Sequence, residues 1–206
     1  MSEATRQIEN IFPQTVFIRK EKDASWTTPE FIKQCLGLEY RKNGDHNWAT
    51  TDAYLLDLPE FKELKDAIQD ELDKIIEEYY QKNIKETQLY ITQSWINVNC
   101  DGDSHPPHSH PNSILSGVVY IDVAENDCID FVDKRHDTRV ALEGTPTYTL
   151  PVEQGDIVMF DSQIQHLVVG SKRDKKRISL AFNTFVKGTL GSKEGLTEVK
   201  INGYTT

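Results

Sequence analysis

The stretch "SWINVNCDGDSHPPHSHPNSILSGVVYI", residues 94–121, decides how the rest of the chain is read. Two runs rich in Val, Ile, Trp and Tyr flank a centre of Gly, Pro, Asp and His, which is the texture of two strands joined by a rigid turn. The same texture continues outward in "DCIDFVD", "TYTLPV", "GDIVMFDS", "HLVVGS" and "RISLAFNTFVK", with "QTVFIRK" near the start and "LTEVKING" near the end as further candidates. Seven or more short strands separated by turn residues predict a mainly β protein with flanking helices, an antiparallel sandwich or jelly roll.

The helices come earlier in the chain. In "LPEFKELKDAIQDELDKIIEEYYQKN" the apolar residues Phe61, Leu64, Ile68, Leu72, Ile75, Ile76 and Tyr79 recur at threes and fours, giving one packing stripe on an otherwise charged helix. A shorter helix is expected from a Thr28 cap through Pro29 to about Leu36, with Gly37 as its stop. Both lie against a sheet face, so residues 1–206 read as a single domain: an N-terminal strand and supporting helices over 1–87 and a jelly-roll core over 88–206.

Composition narrows the function classes. The formal charge of −10 argues against general attraction to nucleic acid, and no window is apolar enough to span a bilayer. Cys35, Cys100 and Cys128 make an odd, scattered set, which fits a reducing compartment, and the polar start "MSEATRQIEN" does not read as a signal peptide; a cytoplasmic location is expected.

The centre of the opening stretch holds three of the chain's six histidines within six positions. His108 and His110 are two apart, so an extended backbone, favoured by Pro107 and Pro111, puts both imidazoles on one face. A metal needs a third donor, and His166, opening a strand after a loop, is the best candidate. Three imidazoles suit iron, zinc, copper or nickel, whereas magnesium and calcium prefer oxygen. His105 sits at an odd offset, so an extended chain points it away from the pair, and it reads as a residue supporting the ligands or as a solvated one. His46 and His136 lie in polar runs and read as loop residues. Arg177 begins an apolar strand with Ser179 two residues on, on the same face; a guanidinium with a neighbouring hydroxyl can grip a carboxylate.

Together, in this order and spacing, residues 94–121, "PVEQGDIVMFDSQIQHLV" at 151–168 and "RISLAFN" at 177–183 resemble the 2-oxoglutarate and Fe(II)-dependent dioxygenase superfamily, and within it a group found in bacteria and phages. The resemblance implies a double-stranded β-helix (cupin-like), with Fe(II) and 2-oxoglutarate as cofactors and O₂ as co-reactant. It also implies hydroxylation of a substrate with release of succinate and CO₂. It gives His108 the place of the first ligand and His166 that of the distal one. Arg177, assisted by Ser179, takes the far carboxylate of 2-oxoglutarate, and Asn97 or Asn99 reaches the cosubstrate as well. The family's pattern has Asp or Glu where this chain has His110. Either His110 ligates, or an acid such as Asp103 or Asp161 substitutes, or water fills the place. Three neutral imidazoles leave Fe(II) at +2, which a 2-oxoglutarate dianion neutralises. Two other readings stand beside this one: a three-histidine cupin-type dioxygenase that does not use 2-oxoglutarate, and a non-catalytic metal-binding jelly roll.

Overall fold

The computed structural model describes residues 13–133, 147–170 and 175–202. The alternating runs form two antiparallel sheets that face one another. Chain order is β1 (Val16–Arg19), α1 (Pro29–Leu36), β2 (Tyr40–Asn43), β3 (Asn47–Thr50), α2 (Lys62–Lys74), β4 (Thr87–Asn99), β5 (His105–His108), β6 (Leu115–Asp122), β7 (Cys128–Val132), β8 (Thr147–Pro151), β9 (Ile157–Asp161), β10 (Gln165–Val168), β11 (Arg177–Leu190) and β12 (Val199–Ile201). The large sheet runs β1-β9-β6-β11-β4-β3-β2, with β12 added to the far end of β11; the small sheet runs β5-β10-β7-β8. This is the double-stranded β-helix, and the chain is mainly β with flanking helices.

Strict alternation along β11 explains both faces of the large sheet. Ile178, Leu180 and Phe182 turn to the helices, where they join Ile96, Val119, Ile157 and Met159 with Leu64, Ile68 and Leu72 of α2 in one core. Each such buried side chain contributes about 1.5–3 kcal/mol relative to exposure. The alternate residues Arg177, Ser179, Ala181 and Asn183 turn to the small sheet. A second core there takes Tyr120, Val158 and Phe160 from one sheet and Ile129, Phe131 and Leu150 from the other. Gly117 on β6 is required by this packing: a Cβ there would stand 2.2 Å from the Phe182 ring.

The Thr28 side chain accepts from the Phe31 N–H and so caps α1, which ends at Gly37. The long helix begins as a 3-10 turn at Pro59–Phe61 and ends as a π turn at Ile75–Tyr79. That wider turn carries both Ile75 and Ile76 into the core and moves Tyr79 to the edge, half exposed against Phe17. The hairpin β2–β3 is absent from the sequence expectation, because "YRKNGDHNWAT" is polar and one of its strands is a sheet edge; only Gly44, at φ +57°, marks its turn. No disulfide joins Cys35, Cys100 or Cys128, and no helix among the described residues is long and apolar enough to cross a membrane. His136 lies outside the described residues.

Candidate active site

β5 and β10 pair so that His108 lies directly across from His166. The approach is set by glycine: a Cβ at Gly170, just past β10, would stand 2.7 Å from the Gly102 carbonyl in the turn leading to β5. His110 follows β5 and is pinned by its own N–H, which donates to the Ser162 carbonyl at 2.9 Å. Behind it, Ser113, Ser116 and Ser162 hydroxyls lie 2.7–2.9 Å apart in a chain that ties the loop to the start of β6 and to the β9–β10 turn. The donor atoms of His108, His110 and His166 all fall within 4.8 Å of one another.

The tautomers follow from the partners. Nδ1 of His108 faces the Pro106 carbonyl at 2.9 Å, and Nδ1 of His166 faces the Ile164 carbonyl at 3.1 Å. A carbonyl only accepts, so in the neutral rings each Nδ1 carries the proton and each Nε2 presents a lone pair. That is how metal-binding imidazoles are ordinarily oriented. His110 Nε2 then donates to His166 Nε2 at 3.3 Å, and a cation arriving between them would take the place of that proton. Burial, with the neighbouring His108 as a smaller cause, lowers His110 to a pKa of about 4 and His166 to about 3, so both stay neutral and available.

Of the alternatives for the third donor, the geometry brings in His110. Among the described residues no carboxylate joins the three rings at that distance. Asp103 accepts from the Cys100 N–H and pairs with Lys42, and Asp161 accepts from the Gln163 N–H; each holds a turn. His105 departs from expectation. A register irregularity sets His166 against His108 but Val168 against His105, so three residues of β5 span two of β10. The extra residue brings the His105 ring flat onto His108, with centroids 4.2 Å apart and planes 18° from parallel. His46 sits half-buried in the β2–β3 turn.

Arg177 lies at the start of β11, 3 % exposed, in register with Asn99 on β4; Ser179 is in register with Asn97 and with Tyr120 on β6. All four sequence-predicted polar residues, Arg177, Ser179, Asn97 and Asn99, line one cavity with His105, His108, His110 and His166, walled by Trp95, Val118, Ile129 and Phe160. Its free volume is about 40 Å³, room for about three waters. The guanidinium lies over the Tyr120 ring at 5.2 Å, donates weakly to Ser179 Oγ at 3.4 Å, and has Asp127 3.7 Å from its Nε. Among the described residues, three fully buried side-chain polar atoms have no hydrogen-bond partner: Arg177 Nε, Asn99 Nδ2 and the Tyr120 hydroxyl. Burial keeps the Tyr120 phenol protonated, well above its usual range. Unmet buried donors cost about 1–3 kcal/mol each, and their clustering beside one arginine marks a place for an acidic ligand. Asn97 is aimed by a relay in which Asn43 donates to Asn47, and Asn47 donates to the Asn97 oxygen at 3.1 Å, leaving its NH₂ to the cavity.

Sequence reasoning missed Tyr120, Asn47, Asp127 and Trp95. Tyr120 had a legible signal, since it alternates with Val118 and Ser116 on the inward face of β6. The others depend on strand register or on the β2–β3 hairpin, which no local pattern announces.

Fold and site together define a double-stranded β-helix with a three-histidine centre and a basic, polar row at its inner end. Residues 93–183 match the family model described as "Putative 2OG-Fe(II) oxygenase". That match takes in every histidine and polar residue of the site, and over these residues the chain is similar to that family. Among solved structures it resembles the epimerase SnoN of nogalamycin biosynthesis, an alpha-ketoglutarate-dependent non-heme protein, at a TM-score of 0.63 and 16 % identity over 85 % of this chain and 80 % of that one. HygX from Streptomyces hygroscopicus, solved with nickel and 2-oxoglutarate, matches at 0.60 and 12 % over 83 % and 82 %. A prolyl-4-hydroxylase from Pseudomonas putida matches at 0.55 and 13 % over 83 % and 92 %. At these identities the likeness speaks for the fold. No curated protein sequence matches the chain significantly.

Proposed function

We propose that the protein is an Fe(II)- and 2-oxoglutarate-dependent oxygenase, with a three-histidine centre of His108, His110 and His166. The observation that carries this reading is that one cavity is lined at one end by three converging imidazoles and at the other by Arg177 with partnerless donors around it. When bound, Fe(II) and 2-oxoglutarate supply the oxygen chemistry: O₂ is reduced, succinate and CO₂ leave, and a substrate C–H bond is hydroxylated.

The chain's own residues bind and orient. Neutral imidazoles leave the cation its full charge, which suits a dianionic cosubstrate. Arg177 offers parallel N–H donors to the far carboxylate, Ser179 and Tyr120 add hydroxyls, and Asn97 and Asn99 add amide donors. Phe160, Phe131 and Ile129 close the other side and keep water out. The odd, scattered set of cysteines fits a cytoplasmic location.

Fe(II)-dependent succinate formation from 2-oxoglutarate tests the proposal. Activity is expected in the native protein and its loss is expected in His166→Ala and in Arg177→Ala; turnover untouched by either change overturns it. That no carboxylate joins the three rings among the described residues is the feature that favours the cupin-type alternative. Calorimetric titration of 2-oxoglutarate against other small acids separates the two, since only the first reading needs a dicarboxylate that spans metal and arginine.

A further inference from the structure

His105 is unexplained by the ligand set, yet the fold spends a β-bulge on placing it. Without the irregularity its side chain would leave on the opposite face from His108; with it, the ring lies parallel to His108 at 4.2 Å and lines the same cavity as Arg177, Asn97 and Asn99. Bulges re-aim side chains beside active sites. The two prolines that follow, Pro106 and Pro107, limit the backbone's freedom to swing the residue away. Among the described residues the ring nitrogens of His105 have no hydrogen-bond partner, the stack on His108 being its ring contact. A half-buried imidazole always carries at least one N–H donor. Lying flat against a metal-binding ring, it presents that donor edgewise, close to where a ligand of the metal must enter.

We infer that His105 is a cosubstrate-binding residue whose ring N–H donates to a carboxylate oxygen at the metal-side end of the 2-oxo acid. The inference rests on the reading of the site as a 2-oxoglutarate centre. Stacking supplies the orientation and the bulge supplies the position, so that one histidine is a ligand and its neighbour serves what the ligand holds. The acid is thereby gripped at both ends, by Arg177 at the far carboxylate and by His105 at the near one.

The test uses the full-length protein with Co(II) as the metal probe. Native protein, His105→Phe and His105→Leu are titrated first with Co(II), then with 2-oxoglutarate, by calorimetry. Phe keeps an aromatic ring on His108 and removes the N–H; Leu removes both and serves if Phe does not fit. The expected result is Co(II) affinity within about threefold of native in His105→Phe, with 2-oxoglutarate affinity weakened roughly tenfold, the loss of one charge-assisted hydrogen bond. Unchanged 2-oxoglutarate affinity in both variants overturns the inference. So does a loss of Co(II) affinity in His105→Phe that matches the loss of 2-oxoglutarate, which would make the ring a prop for His108. If the native protein takes up Co(II) but no 2-oxoglutarate, the underlying reading of the site fails instead.

Discussion

His166 sits 5 % exposed between the Phe160 ring and the facing strand, and a buried imidazole resists taking a proton. In the unfolded chain its pKa is about 6.5, whereas in the fold it is about 3, and His110 is about 4. Above the unfolded value both states are neutral and the fold keeps its full stability. As pH falls through the interval down to the folded values, the unfolded chain binds protons the folded one refuses, so stability is lost. The metal-free protein is therefore expected to melt at progressively lower temperature from about pH 6.5 to about pH 4, and thermal scans across that range check it. A His166→Ala, His110→Ala double variant should show a shallower dependence; an identical slope in both proteins would contradict the assignment. At this scale the sequence was informative wherever two residues share a strand. His108 with His110 and Arg177 with Ser179 were legible from spacing alone. The direction of the His105 ring was not legible, because a bulge cancels parity.

Among the elements, β6 is closely packed where it crosses the core. Gly117 lies under the Phe182 ring, and neither backbone strand can retreat because β6 is paired on both sides, with β9 and β11. Gly117→Ala is expected to destabilise the protein by about 1–3 kcal/mol through overpacking, read by urea or thermal unfolding. The same substitution with Phe182→Leu should recover most of that loss, and no recovery would place the strain elsewhere. Strands of this kind are easy to recognise, being short, β-branched and bounded by Gly and Asp. The helix stripe is equally plain. What the sequence did not reveal is pairing: β2 and β3 are polar, and β5 is half proline, so propensity says loop while cross-strand hydrogen bonds and the neighbouring sheet say strand.

At the scale of the whole molecule, the two sheets divide the labour of building one centre. The small sheet brings His108 and His166, the turn beyond it brings His110, and the large sheet brings Arg177, Ser179, Asn97, Asn99 and Tyr120. On the proposed reading, the ligand pair and the carboxylate grip stand on opposite walls, with the gap between the walls as the cosubstrate's berth. That berth, at about 40 Å³, admits a few waters but is smaller than a five-carbon diacid. Entry must wait for a rarer, wider arrangement of the walls, and this has a kinetic signature. In stopped-flow mixing of metal-loaded protein with rising 2-oxoglutarate, the observed association rate should level off at a ceiling set by the protein's own breathing. A rate that climbs in strict proportion to concentration would mean the passage already stands open.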